Sequence, residues 1–263
     1  MENLFKRRVD VLVGGYRFSN KDLTISFDIQ FDDDSEPNES SVDIYNLSPN
    51  TIANIRKGMY VLVNAGYDRD VGTVLQGEIT EVSTSKEQVD RITTIYIKDT
   101  SDRYKTVVKQ SYRKGAKASE IIRDLIRIAQ LPIGDLQLPE DKVYTSGYVV
   151  NGDPITAIRK LAAACGAGTY ISHGKLMIRG KGKPADRNVI VLSPSTGMIE
   201  SPQPHESGKK QGLKIKCLMN HRLLAGSYVK VESEKKSGFF VVKEGRHSAA
   251  NNQFHTEVQV EAI

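Results

Sequence analysis

From Leu23 to Phe31 the chain alternates apolar and polar residues without a break, with Leu23, Ile25, Phe27, Ile29 and Phe31 on one parity. Strand side chains point to opposite faces at a period of two, so this run specifies a β-strand with one face on a core. Similar runs surround it: Val9-Val11-Val13 before the Gly14-Gly15 turn, Ser41–Leu47, and Tyr60–Tyr67. Two further strands are expected around 73–82 and 91–98, joined by a polar loop over Ser83–Gln88. One short helix interrupts them. Ser48 is a natural N-cap, Pro49 suits the first helical position and Gly58 a stop, which puts Ile52 and Ile55 on one side. Many strands with a single short helix favour a barrel or sandwich.

The pattern changes near Asp99. Ile121, Ile122, Leu125, Ile126 and Ala129 form an apolar stripe at helical spacing, with Ser119 as the expected cap. After a polar segment over Leu131–Tyr144, Asp153 caps a second helix with Pro154 at its start. Ile155, Ile158, Leu161, Ala162 and Cys165 line its buried side, and Gly166 and Gly168 end it. A hairpin turning near His173-Gly174 follows. Beyond a Gly/Lys/Pro-rich linker (180–187), strands return near 189–192, 213–218, 228–232, 238–246 and 254–262, with a long exposed loop over Ser201–Gly212. The expected fold class is therefore β-rich α+β. Two barrel-like flanks, 1–105 and 188–263, enclose a small helix-containing α/β domain at 106–187, and the flanks are candidates for related barrels.

Composition bounds the function. With 39% hydrophobic and 26% charged residues, the 263-residue chain is expected to fold. No apolar run nears the roughly 20 residues of a membrane span, and the N-terminus has no signal-peptide pattern, so synthesis and folding in a cytoplasm without a membrane anchor are expected. Cys165 and Cys217 read as buried free thiols outside any ligand motif. The net charge of +5 permits nucleic-acid contact, but the short basic clusters at Lys6-Arg7-Arg8, Lys181-Lys183, Lys209-Lys210 and Lys235-Lys236 lie mostly in loops and termini. The acidic run Asp32–Pro37 lacks the ligand spacing of a calcium loop and reads as an exposed turn.

The residues carry no catalytic signature. Of His173, His205, His221, His247 and His255, only His247 and His255 are expected on neighbouring strands, without an obvious third metal ligand. There is no nucleophile elbow, phosphate loop or dinucleotide fingerprint, and Gly180-Lys181-Gly182-Lys183 opens no helix. Glu78, Glu81, Glu120 and Asp153 stand in no context that suggests glycoside hydrolysis. No catalytic, cofactor or metal residue is assigned.

Three ordered stretches resemble the hub proteins at the centre of phage and phage-like tail baseplates. The first runs from Val42–Ser48 through the short helix to Gly58, then Val61–Tyr67 and Leu75–Ile79. The second is the helix from Ser119 with Asp153-Pro154, Leu161–Gly166, Tyr170 and Gly174–Ile178. The third is Leu224–Val231, Gly238–Val242, His247 and Phe254–Val260. The resemblance implies tail-tube-like barrels and a homotrimeric ring. That ring would sit between the tail tube protein and the central spike protein, beside baseplate wedge proteins and possibly the tape-measure protein. DNA would pass the lumen without sequence-specific binding. It places the protein in the tail baseplate of a contractile phage, prophage or tailocin particle. The chain ends after the second barrel, so no wall-cutting extension is expected. A tail-associated cell-wall hydrolase and a basic nucleic-acid-binding module are the alternatives.

Overall fold

The structure is a computed structural model that describes residues 6–33, 38–99, 107–172, 174–180, 188–207, 210–250 and 252–263. The acidic turn at Asp32–Pro37, the linker at 180–187, the Lys209-Lys210 cluster and the turn at His173 lie wholly or partly outside these residues. The chain divides into two compact units: Met1–Asp32, Pro37–Thr100 and Pro184–Ile263 in one, Asp33–Glu36 and Ser101–Lys183 in the other.

In chain order, the first unit begins with β1 (Arg7–Val13), β2 (Tyr16–Ser19), β3 (Ile25–Asp32) and β4 (Glu39–Tyr45). Helix α1 (Pro49–Asn54) follows, capped as expected by Ser48 Oγ, which accepts from the Thr51 N–H at 3.1 Å. Then come β5 (Tyr60–Tyr67), β6 (Asp70–Glu87) and β7 (Asp90–Lys98). The expected loop over Ser83–Gln88 is strand almost to its end, paired through Glu87↔Asp90. Ladder hydrogen bonds stabilise this stretch, which has no core face of its own and hence no apolar alternation to read.

The second unit comprises β8 (Val108–Tyr112), β9 (Ala116–Lys117), α2 (Ala118–Ile128), β10 (Ile133–Leu136), β11 (Val143–Tyr144), β12 (Tyr148–Gly152), α3 (Pro154–Ala164), β13 (Ala167–Ser172) and β14 (Lys175–Gly180). All five stripe residues of α2 are buried, as are Ile158, Leu161, Ala162 and Cys165 of α3. Burying each Ile and Leu side chain among them contributes about 1.5–3 kcal/mol. The cap of α2 differs from expectation. Lys117 is the N-cap, and Ser119 instead donates from its hydroxyl to Asp141, 22 residues on, at 2.7 Å.

The first unit resumes with β15 (Val189–Leu192), β16 (Gln203–Ser207), β17 (Lys210–Leu218), β18 (Tyr228–Glu232), β19 (Ser237–Ala250) and β20 (Gln253–Ala262). Strand β16 corrects the expected long loop at Ser201–Gly212. It is polar and carries Pro204, so only its ladder with β17 marks it as a strand.

All 13 strands of this unit form one sheet. Its path is open, and no barrel closes by backbone ladder among the described residues. Along the path one pairing order occurs twice. The early strands run β3-β4-β7-β6-β5-β1, and the late ones run β16-β17-β20-β19-β18-β15. The details match too. Gly58 donates to Ile79 O at 2.9 Å while Ile79 donates to Met59 O at 2.9 Å; Gly226 donates to Val242 O at 2.8 Å while Val242 donates to Ser227 O at 3.0 Å. Both glycines take left-handed φ, 85° and 80°. Just beyond, each long strand bulges, at Thr80 in β6 and Lys243 in β19. A bulge flips the side-chain parity, so Val242 and then His247 and Ala249 all point inward. The sets differ at their last strand, since β1 meets β5 antiparallel and β15 meets β18 parallel.

Each set has its own core, one around Val11, Ile44, Val63 and Ile95, the other around Ile215, Val229, Val242 and Val258. The ladder between β3 and β19, from Asp32↔Glu244 to Phe27↔Ala249, joins them. If Gly58 and Gly226 hold the same structural position, Gly58→Ala and Gly226→Ala each destabilise by about 1–2 kcal/mol, because alanine is strained at that φ. Urea denaturation of the two variants checks this.

Candidate functional site

The pairing that brings β19 and β20 together also separates their histidines. His247 stands opposite Thr256, and His255 opposite Ser248, so the two imidazoles leave opposite faces of the sheet. His247 is fully buried, with Nδ1 2.9 Å from Thr256 Oγ1 and its ring 4.8 Å from that of Phe31. His255 lies on the other face, with Nε2 3.3 Å from Glu257. One metal ion cannot take both. His221 lies in the loop after β17, its ring against Gly72, where a Cβ would stand 2.1 Å from Cδ2. His205 is on β16. Among the described residues no three His, Cys, Asp or Glu side chains are grouped to hold a metal ion.

The carboxylates considered at the sequence level are also dispersed. Asp153 caps α3 by accepting from the Thr156 N–H at 2.7 Å, and Glu120 accepts from the Lys117 N–H at 3.3 Å at the start of α2. Glu78 and Glu81 lie on β6, opposite Lys98 and Tyr96. Both cysteines are buried. Burial pushes the Cys217 thiol up to about 12, which keeps it protonated and a poor nucleophile.

What the first unit does present is a broad polar face. Side chains opposite to the cores form cross-strand pairs: Lys214–Glu257 at 3.3 Å, Lys216–Glu257 at 3.4 Å, Arg246–Asp28 at 3.2 Å and Lys98–Glu39 at 2.9 Å. These lysines and arginines are matched by carboxylates across the strands, unlike a groove built to track phosphates. Lys214 and Lys216 are the main reason the Glu257 carboxyl titrates below its usual range, against the opposing effect of burial.

A cleft of ≈ 390 Å³ lies where the β5–β6 turn meets the loop after β17, lined in part by Tyr67, Asp70, Cys217, Met219 and Arg222. Arg222 donates to both Asp70 oxygens, at 2.8 and 2.5 Å, and lowers the pKa of that carboxyl. Both side chains are substantially exposed, so the pair adds at most about 1 kcal/mol. Alongside, Tyr67 donates to Phe254 O at 3.2 Å, and Arg7 donates to Asn252 O at 3.1 Å. This cleft is a seam between the two strand sets; among the described residues that line it, no nucleophile has an adjacent base.

Strand edges of the first unit without a backbone partner among the described residues include β6 beyond its bulge and the outer sides of β16, β2 and β15. Sequence reasoning missed the strands at the far half of β6 and at β16. The far half of β6 carries strand-compatible Thr80, Val82, Ser83, Thr84 and Ser85 without a buried parity, whereas Gln203–Ser207 of β16 carries no such run.

An extended sheet with open strand edges is a surface suited to assembly with other chains. The model of the baseplate hub gp41 family matches residues 8–239, and the chain belongs to that family. It is a structural hub component of a phage-type tail baseplate. No curated protein sequence matches it. The fold is similar to that of the 43 kDa tail protein of prophage MuSo2 from Shewanella oneidensis (10% identity, 98% of this chain and 97% of that one, TM-score 0.69). It is similar to a tail protein from Neisseria meningitidis MC58 (12% identity, 98% and 97%, TM-score 0.68). It also resembles the E. coli c3393 protein, a component of the type VI secretion system (12% identity, 96% and 76%, TM-score 0.67). No described helix is long and apolar enough to cross a membrane.

One buried group has a clear pH consequence. Asp99 follows β7 and is 9% exposed; burial raises its carboxyl to about 7, opposed by the Asn38 amide that donates to it at 3.3 Å and assisted by the charge of Asp32. The folded chain therefore holds this proton from about pH 4 to pH 7 while the unfolded chain has released it, and stability from this group is lost as pH rises through about 7. Asp99→Asn removes the titration. It should leave stability near pH 4 little changed and raise it at pH 8 by about 1 kcal/mol or more, as urea melts at the two pH values would measure.

Proposed function

We propose that three copies of this chain form a ring that joins the tail tube to the central spike. The observation that carries this reading is the doubled strand order. A chain with two equivalent strand sets presents six such sets in a trimer, which lets a threefold ring match a sixfold tube. In this reading the sets are tube-like barrel domains, 1–105 and 188–263, completed by neighbouring copies. The α/β domain at 106–187 lies inserted between them and faces baseplate wedge proteins. The lumen would pass DNA, and the tape-measure protein before it, with no sequence-specific contact.

The role is mechanical and not catalytic. Capped carboxylates, buried thiols and histidines on opposite faces support that reading. Incubation with purified peptidoglycan is expected to release no fragments. Mixed with its spike partner, the protein is expected to give a complex with three hub chains by native mass spectrometry. A single hub chain per spike, at every concentration, would count against the ring.

A further inference from the structure

We propose that the outer edge of β16 in one copy adds, antiparallel, to β6 of a second copy over Glu81–Ser85, in the register this chain already uses between β3 and β19. The inference rests on the ring reading and specifies its subunit contact.

Pairing across the bulges aligns the strand sets. Ile79 and Val242 carry the same reciprocal hydrogen bonds to a Gly and its successor, and Thr80 and Lys243 are the extra residues. Counting on, Glu81, Ser83, Thr84 and Ser85 of β6 correspond to Glu244, Arg246, His247 and Ser248 of β19. In β19 this stretch is covered by β3, and His247, Ser248 and Ala249 are 0%, 9% and 4% exposed. In β6 the corresponding Thr84, Ser85 and Lys86 are exposed, and nothing described pairs with that edge.

The strand that should cover it is the counterpart of β3, which the pairing order identifies as β16. Ser41 pairs with Tyr96 on one side and Asp28 on the other; Lys214 pairs with Gln259 and Gln203. Gln203 is thus the counterpart of Asp28, and His205 of Gln30. Within the chain Asp28 faces Ser248 and Gln30 faces Arg246. Carried over, Gln203 of one copy faces Ser85 of the next, and His205 faces Ser83.

Within one chain β16 ends the sheet and six strands separate it from β6. The two edges do not meet there, so the pairing needs a second copy. Because the contact joins two different edges, it runs head to tail and closes a ring when the rotation between copies allows. Each contact would repeat the β3–β19 seam, and the sheet would pass from copy to copy without a free edge at these positions.

The test mixes two single variants of the full chain, Gln203→Cys and Ser85→Cys, with the spike partner under mild oxidation. Directly opposed antiparallel residues lie about 4.5–5.5 Å apart at Cα, within disulfide reach, and both native thiols are buried. The expected result is a crosslinked hub dimer in the mixture and in neither variant alone. Carried in one chain, the two substitutions should give covalent trimers. The Gln203→Cys variant mixed with Ser83→Cys, two residues out of register, should give markedly less. Trimers on the spike without crosslinking, or with equal crosslinking in both registers, would overturn the edge assignment and leave the ring standing. Hub chains that never associate would overturn both.

Discussion

The ladder between β3 and β19 is the contact on which the first unit depends. Without it the two strand sets would form separate sheets, each with the joining edge open. Six consecutive residue pairs hold it, from Asp32↔Glu244 to Phe27↔Ala249. Side chains lock it from within: Phe31 lies over Gly245, where a Cβ would stand 2.4 Å from the ring, and His247 packs beside Phe31. At the β5–β6 turn, Tyr67, Arg7 and Asp70 tie the early strands to the late ones. The two strand sets are therefore fastened at more than one place. For a protein whose task is to hold others in register, this shared stiffness is a functional property.

Much of this was legible in the sequence, for identifiable reasons. Runs such as Leu23–Phe31 and the stripes of α2 and α3 bury one parity or one face, and burial leaves a periodic mark. Polar strands leave none. The far half of β6 and all of β16 were read as loops because their stability comes from ladder hydrogen bonds, which any residue except proline can supply. Cap assignment failed at Ser119 because its partner, Asp141, is distant in sequence. The paired histidines were placed correctly on adjacent strands, but a one-residue difference in register sends them to opposite faces.

The doubled architecture was present in the sequence in a form easy to overlook. Gly58-Met59-Tyr60-Val61-Leu62-Val63 and Gly226-Ser227-Tyr228-Val229-Lys230-Val231 match at four of six positions. Few other segments of the two sets align so plainly. What the sets share is pairing order, bulge position and a left-handed glycine, features that constrain backbone more than side chain. The divergence in between leaves Asp43 where the late set has Lys216, and Thr84 where it has His247, so equivalent backbones carry different chemistry.

The composition of the far half of β6 bears on how such a particle reaches its correct form. Ser83, Thr84, Ser85 and Lys86 offer backbone donors and acceptors but little apolar area. Each hydrogen bond gained there is worth only about 0.5–1.5 kcal/mol net. Two copies meeting along this edge alone would part quickly, and a wrongly seated copy would leave before others could trap it. In the proposed ring, only the closed set, with every junction formed at once, would hold its members for long. There, such weak polar edges would act as a proofreading step and would keep the unassembled chain from sticking to strands that are not its own.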